Sequence, residues 1–132
     1  MATETINTTT TLDPQPNYEY LQVRATVNNF SGEAMVLTGS DLSWGKWIQT
    51  PVDVPAYDDK GFASQGRDSS PSGTEGWATW KLGEATIKVT FSSPFSGDNT
   101  QSISCTPDLY KVSSSGTQGH VNNAVFTIKP KK

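Results

Sequence analysis

The sequence predicts a single all-β domain, folded as an antiparallel β-sandwich. Apolar and polar residues alternate with a period of two in several short segments, which is typical of half-buried strands. Glycine, proline, serine and asparagine separate these segments, as expected for turns. No stretch has the sustained period of 3.6 residues that an amphipathic helix requires. The length of 132 residues is that of one domain, and short strands at this spacing favour two packed sheets.

The first 16 residues differ in composition from the rest of the chain. They are rich in threonine, carry few large apolar side chains and end in the sequence DPQP. Such a segment cannot bury enough apolar surface to offset the entropy that ordering removes. We therefore predict a flexible tail over residues 1–16 and the β-sandwich domain over residues 17–132.

Four strands are predicted in the first half of that domain. Leu21, Val23, Ala25 and Val27 alternate with polar residues and define the first strand. Further strands are predicted at residues 33–38, 43–49 and 62–65, with turns between them. Prolines and charged residues over positions 51–60 predict a loop.

The second half begins with the clearest loop of the chain, the sequence GRDSSPSGTEG at residues 66–76. Residues 77–82 and 85–92 then predict a β-hairpin that turns at Gly83-Glu84. A loop at 93–100 follows, with strands at 101–105 and 109–113. The last predicted strand covers residues 121–129, with Ala124, Phe126 and Ile128 facing inward.

Charge and composition exclude several classes of function. The net charge of −3 and pI of about 5.0 leave no overall basic field for nucleic acid. A single cysteine and a single histidine argue against a disulfide framework and a histidine-rich zinc site, and no cofactor or metal is predicted. The N-terminus has no secretory signal pattern and the apolar runs are too short to span a bilayer. We expect a protein that is made soluble.

Nucleophilic catalysis has little support in the sequence. His120 is the only imidazole, it lies beside a Gly/Ser-rich turn, and no nucleophile-elbow motif is present. Cys105 follows Ile103 on an apolar strand face and is expected to be a buried, inert thiol. We predict no catalytic residues and no enzymatic activity. A glycosidase that uses loop carboxylates is the weakest alternative, and the acidic residues in loops are Asp58, Asp59, Asp68, Glu75 and Asp98.

Four tryptophans form two pairs with the same spacing. Trp44 and Trp47 are three residues apart, as are Trp77 and Trp80. Residues three apart in one strand point to opposite faces, so each pair should place one indole outside the core. If Trp80 faces the core together with Ala78 and Leu82, Trp77 faces outward. For the first pair, the sequence does not decide which of Trp44 and Trp47 faces the core. An outward indole can stack on a sugar or anchor in the lipid headgroup layer, and a few anchors give reversible membrane attachment.

Two basic residues lie close to these aromatic residues in the sequence. Lys46 stands between Trp44 and Trp47, and Arg67 belongs to the glycine-rich loop. Either cation can meet a phosphate or another headgroup anion, or it can form a weak surface ion pair, for example between Arg67 and Asp68 or Glu75. The candidate residues for membrane or receptor contact are Trp44, Lys46, Trp47, Arg67, Trp77 and Phe95. A lectin that uses the same rings with Asn or Asp partners is the main alternative.

Several short motifs, taken in their order along the chain, resemble those of a known family, the aegerolysins of fungi and bacteria. The residues that carry this resemblance are Ser43-Trp44-Gly45-Lys46, Gly66-Arg67-Asp68 and Gly73-Thr74-Glu75-Gly76. The C-terminal half is also similar to the small, aegerolysin-like component of binary insecticidal crystal toxins, through Gly83-Glu84-Ala85, Pro94-Phe95-Ser96-Gly97 and Gly119-His120-Val121. The matches extend over about residues 23–128. The Cys-Pro-Trp element of many fungal members is replaced by Ser93-Pro94-Phe95.

The resemblance implies an aegerolysin-like β-sandwich that binds a membrane lipid, a glycolipid or a receptor of the target cell. It further implies that the protein recruits a larger partner, which forms the pore, and that the pair acts extracellularly on insect cells. We therefore expect the small component of a two-component pore-forming toxin. The sequence leaves homo-oligomer formation open.

Overall fold

The computed structural model describes residues 17–68 and 71–132, so the predicted tail at 1–16 lies outside the described residues. The described part is all-β and forms two packed sheets, which confirms the predicted fold class. Its strands are β1 (Gln22–Asn29), β2 (Val36–Trp44), β3 (Lys46–Gln49), β4 (Asp58–Gln65), β5 (Thr74–Leu82), β6 (Ala85–Ser93), β7 (Thr100–Thr106), β8 (Tyr110–Ser115) and β9 (Val121–Pro130).

The strands form a five-stranded sheet in the order β3-β4-β1-β9-β8 and a four-stranded sheet in the order β2-β5-β6-β7. The pair β1–β9 is parallel, with Gln22 opposite Val121, and the other pairs are antiparallel. The parallel pairing of the first strand with the last departs from the antiparallel sandwich that the sequence predicted.

Aromatic rings form the centre of the core between the sheets. The Phe62 ring lies 5.0 Å from the Phe91 ring and 6.4–6.5 Å from the rings of Phe126 and Trp80. The alternation predicted for β1, β5, β6 and β9 is confirmed, because the apolar residues on the inward face of these strands are buried. Burial of these side chains supplies the main stabilising contribution.

Several predicted boundaries were wrong. The strand predicted over residues 43–49 is divided at Gly45, because β2 continues to Trp44 and β3 begins at Lys46. The second strand begins at Val36 rather than at residue 33 and continues through Gly39 to Trp44, with register shifts that interrupt its alternation. β4 begins at Asp58, inside the predicted loop at 51–60, because its acidic first residues pair with the end of β1 while remaining exposed. β5 begins at Thr74, so the loop predicted at 66–76 ends earlier.

The connections between strands place four of the predicted functional residues, Trp44, Lys46, Arg67 and Phe95, at one end of the sandwich. The links β2–β3, β4–β5, β6–β7 and β8–β9 all lie at the end where β1 begins. We call this the Trp44 end. The links β1–β2, β3–β4, β5–β6 and β7–β8 lie at the opposite end, which we call the Asn29 end.

Candidate functional site

A cluster of rings lies on the surface at the Trp44 end. The Tyr18 ring meets the Phe95 ring edge to face at a centroid distance of 5.2 Å, and it lies 6.5 Å from the Tyr20 ring. The Tyr20 ring in turn lies 4.6 Å from the His120 ring. Phe95 is 52% exposed and Tyr20 is 42% exposed. These side chains form one contiguous surface, the ring cluster, which consists of Tyr18, Tyr20, Phe95 and His120.

Backbone hydrogen bonds hold the segment that carries the two tyrosines. The Leu21 amide donates to the Tyr18 carbonyl at 3.1 Å, and the Gly66 amide donates to the Leu21 carbonyl at 2.8 Å. A Cβ at Gly66 would lie 2.4 Å from the Tyr18 carbonyl oxygen, so this close approach requires glycine. The glycine-rich loop therefore positions the tyrosines.

A second set of hydrogen bonds fixes the loop that carries Phe95. The buried Asn99 side chain donates to the carbonyls of Thr117 and Gly119, both at 2.9 Å. The Gln118 side chain bonds the Asn99 backbone in both directions, at 2.9 and 3.1 Å. Two loops that are distant in sequence are joined by four hydrogen bonds, which hold Phe95 at the Trp44 end.

Trp44 is the exposed indole at this end, with 54% of its surface accessible. It precedes Gly45, whose φ of 96° is in the left-handed region that favours glycine. A Cβ at Gly45 would lie 2.4 Å from the Gln65 carbonyl oxygen. The Thr74 hydroxyl lies 3.2 Å from the Trp44 carbonyl and thus supports the turn from inside. The Trp44 backbone is fixed while its indole faces solvent.

The two predicted cations also lie at the Trp44 end. Lys46 Nζ is 2.5 Å from Glu19 Oε2. The hydrogen bond from Lys46 lowers the pKa of the Glu19 carboxyl against an opposing contribution from desolvation. Arg67 is exposed, and no acidic group among residues 17–68 and 71–132 lies within ion-pair distance of it. Its guanidinium is therefore free to meet an anion from outside the described chain.

The other tryptophans lie elsewhere. Trp47 is half-buried and its ring lies 6.2 Å from Phe62 and 6.1 Å from Phe91, so it packs against the core rather than on the surface. Trp80 is 1% exposed and donates from Nε1 to the Val52 carbonyl at 2.9 Å. Trp77 faces outward on the four-stranded sheet, which confirms the predicted opposite orientation of this pair.

The structure brings Trp44, Lys46, Arg67 and Phe95 to one end and leaves Trp47 and Trp77 out of that surface. Sequence reasoning missed Tyr18 and Tyr20, which stand where the predicted tail meets the first strand. Their position directly before an alternating strand was the available signal, because residues next to a strand end also lie next to the loops at that end.

His120 and Cys105 are the two side chains that were considered for nucleophilic catalysis. His120 is exposed beside Tyr20. Cys105 is half-buried rather than fully buried, and its Sγ lies 3.1 Å from the Pro107 carbonyl. Within the described ranges, no three His, Cys, Asp or Glu side chains are grouped closely enough to hold a metal ion. Nor does that part of the chain contain a helix whose length and apolar character would allow it to cross a membrane.

Comparisons with known proteins agree with this architecture. A model of the aegerolysin family matches residues 20–129. The RahU protein, solved in complex with TRIS, is similar with a TM-score of 0.75 and 19% identity, covering 86% of this chain and 98% of its own. The lipid binding protein Nakanori has a TM-score of 0.75 and 10% identity, covering 83% and 71%. IP-1A from Alcaligenes faecalis has a TM-score of 0.72 and 20% identity, covering 88% and 95%.

No curated protein matches the chain in sequence. At 10–20% identity, the three solved structures show a shared fold.

Proposed function

The chain belongs to the aegerolysin family, and from this premise we propose that it is a non-enzymatic protein that binds membrane lipids through its Trp44 end. The observation that carries the proposal is the exposed ring cluster at the same end of the sandwich as Trp44, Lys46 and Arg67. The fold shared with Nakanori, a lipid binding protein, is consistent with this function.

Exposed rings at one end suit the interface of a bilayer. Tyrosine and tryptophan combine an apolar body with a polar tip, so they are stable at the depth of the lipid headgroups. Transfer of about 100 Å² of ring surface from water contributes about 2.5 kcal/mol at ~25 cal/mol per Å². A few such rings therefore support reversible attachment after the entropy of association is subtracted.

The cations at the same end add local contacts for lipid phosphates. A lysine or arginine close to an anionic membrane surface contributes about 1 kcal/mol. Lys46 and Arg67 lie among the acidic residues Glu19, Asp68 and Asp98 at this end, so they act as local contacts for phosphate groups and not as an overall basic field. Arg67 meets a headgroup phosphate directly. Lys46 must either leave its partner Glu19 or contact Glu19 and the phosphate together.

We expect the replacement of either exposed ring to weaken binding to vesicles. Trp44→Ala and Phe95→Ala should each reduce binding to vesicles of insect gut lipids, and of phosphatidylcholine with sphingomyelin, by about tenfold. The reason is that each change removes ring surface that the headgroup layer would bury. Co-sedimentation of the full chain with vesicles measures the effect, and circular dichroism checks the fold.

Phe30→Ala is the matched control for Phe95→Ala. Phe30 is 51% exposed, nearly the same as Phe95, but it lies at the Asn29 end. Its removal should leave vesicle binding unchanged. An equal loss from both phenylalanine variants, or no loss from either variant at the Trp44 end, would contradict the proposed orientation.

We further propose that the protein is the small component of a two-component, insecticidal pore-forming toxin that acts extracellularly at target cell membranes. The motifs shared with such components support this role. With the Trp44 end on the membrane, the Asn29 end and the sheet faces stay available to a larger partner. A larger pore-forming partner, sought among the products of the genes beside the one for this chain, should release dye from gut-membrane vesicles only when this chain is present. Release by the chain alone would refute the division of roles.

A further inference from the structure

The outer face of the four-stranded sheet carries polar side chains in regular rows. Residues in register share a face, so the row nearest the Trp44 end contains Trp44, Glu75, Ser92 and Thr100. The next row contains Asp41, Trp77, Thr90 and Ser102. Trp77 is thus a half-buried indole surrounded by hydroxyl and charged groups rather than by apolar ones.

The Trp77 indole lies against the sheet instead of projecting from it. Gly39 leaves room for the ring, because a Cβ at that position would lie 3.3 Å from Trp77 Cζ3. The ammonium group of Lys88 lies 5.9 Å from the ring centroid. These neighbours fix the position of the indole before any ligand arrives, which lowers the entropy lost on binding.

A shallow cavity of about 170 Å³ adjoins this indole. Its lining includes Ser43, Glu75, Trp77, Lys88 and Thr90. Glu75 is exposed, and no cation in the described part of the chain pairs with it. The surface therefore offers a free carboxylate, an ammonium group and hydroxyls within reach of one indole.

The hydroxyls at the cavity are already ordered by one another. Ser92 Oγ and Thr100 Oγ1 are 2.7 Å apart, and Thr90 Oγ1 and Ser102 Oγ are 2.5 Å apart. In each pair one hydroxyl donates to the other. Thr90 and Ser102 keep acceptor capacity for an outside donor, whereas Ser92 Oγ already accepts from the Thr100 amide at 3.1 Å. A ligand with several hydroxyls finds acceptors at fixed spacing along β6 and β7.

We infer that this cavity binds the pyranose ring of a neutral glycan. The apolar C–H face of the sugar takes the place of the Lys88 ammonium over the indole, while the sugar hydroxyls donate to Glu75 and accept from the displaced ammonium. The charges of Glu75 and Lys88 cancel, which favours a neutral sugar over a sialic or uronic acid. A volume of about 170 Å³ accommodates one monosaccharide unit.

A lipid surface fits this face less well than a sugar does. Insertion of Trp77 into a headgroup layer would desolvate the neighbouring Ser, Thr, Glu and Lys side chains, and each polar group buried without a partner is unfavourable. A sugar instead supplies a hydrogen-bonding partner for each of them. The inference is independent of the function proposed for the Trp44 end.

An array of neutral glycans, followed by NMR titration with the methyl glycosides of glucose, galactose, mannose and N-acetylglucosamine, tests this site. At least one sugar should bind and shift the indole N–H resonance of Trp77. Trp77→Ala and Glu75→Ala should each weaken that binding about tenfold. Glu84→Ala, at an exposed glutamate in the turn between the same two strands, should leave it unchanged.

The outcomes separate the two sites. Sugar binding that persists in Phe95→Ala, together with vesicle binding that persists in Trp77→Ala, supports this inference independently of the membrane proposal. If no neutral glycan binds, or if sugar binding is unaffected by both Trp77→Ala and Glu75→Ala, the inference is refuted. Loss of sugar binding in Phe95→Ala with full binding in Trp77→Ala would also refute it, because the sugar would then occupy the ring cluster.

Discussion

Trp80→Ala should lower the free energy of unfolding by about 4 kcal/mol. The indole is 1% exposed and its ring lies 6.5 Å from that of Phe62, so truncation leaves a large cavity at the centre of the core. It also removes the donor to the Val52 carbonyl, which is bonded at 2.9 Å in the native protein. Urea denaturation, followed by circular dichroism, measures the change.

The matched control is the same substitution at the exposed indole. Trp44→Ala should change the free energy of unfolding by no more than about 0.5 kcal/mol, because most of its surface is already in water. Trp44→Ala should therefore weaken membrane binding without affecting folding, whereas Trp80→Ala should lower the stability of the fold. Similar losses of stability in both variants would contradict the burial on which the assignment of the rings depends.

Asn122→Leu should destabilise the fold by about 3 kcal/mol. The side chain is fully buried, and its amide donates to the carbonyls of Ser92 and Thr100 and to the Gln101 side chain at 3.0–3.2 Å. Its oxygen accepts from the Thr117 amide at 3.1 Å. Leucine has a similar volume but makes none of these bonds, so several polar groups are left buried without partners.

This substitution should also weaken vesicle binding in the fraction that remains folded. The carbonyls held by Asn122 flank the loop that carries Phe95. Asn123→Ala is the control, since Asn123 is exposed and its side chain makes only a long bond of 3.4 Å to Thr117 Oγ1. A stable Asn122→Leu variant with normal binding would show that the hydrogen-bond network does not position the loop.

The strands with one buried face were predictable from the sequence, whereas β2 and β4 were predictable only in part. In β1, β5 and β9, burial follows the alternation of apolar residues that the sequence displays. β2 has two register shifts and a glycine that faces Trp77, so its pattern has no single period. β4 opens with charged residues whose backbones pair with β1 although their side chains stay in water.

The residues of the candidate site were likewise predictable where they lie in one regular strand and not where they depend on loops. The Trp77/Trp80 pair lies in one regular strand, so the rule of opposite faces applied. The rule does not apply to Trp44 and Trp47, because Gly45 separates β2 from β3 and the two indoles belong to different sheets. The contact of Tyr18 with Phe95 joins residues 77 positions apart and depends on the folded loops, so local sequence patterns carry no sign of it.

An environment-sensitive fluorophore placed at either end of the sandwich tests the membrane orientation most directly. The label is attached at Ser96→Cys, beside Phe95, or at Glu84→Cys, in the turn at the Asn29 end, in both cases with Cys105→Ser. With vesicles that contain a lipid-bound quencher, the label at position 96 should shift to the blue and be quenched, while the label at position 84 stays in water. Burial of the label at 84 with a solvated label at 96, or equal signals from both, would contradict attachment through the Trp44 end.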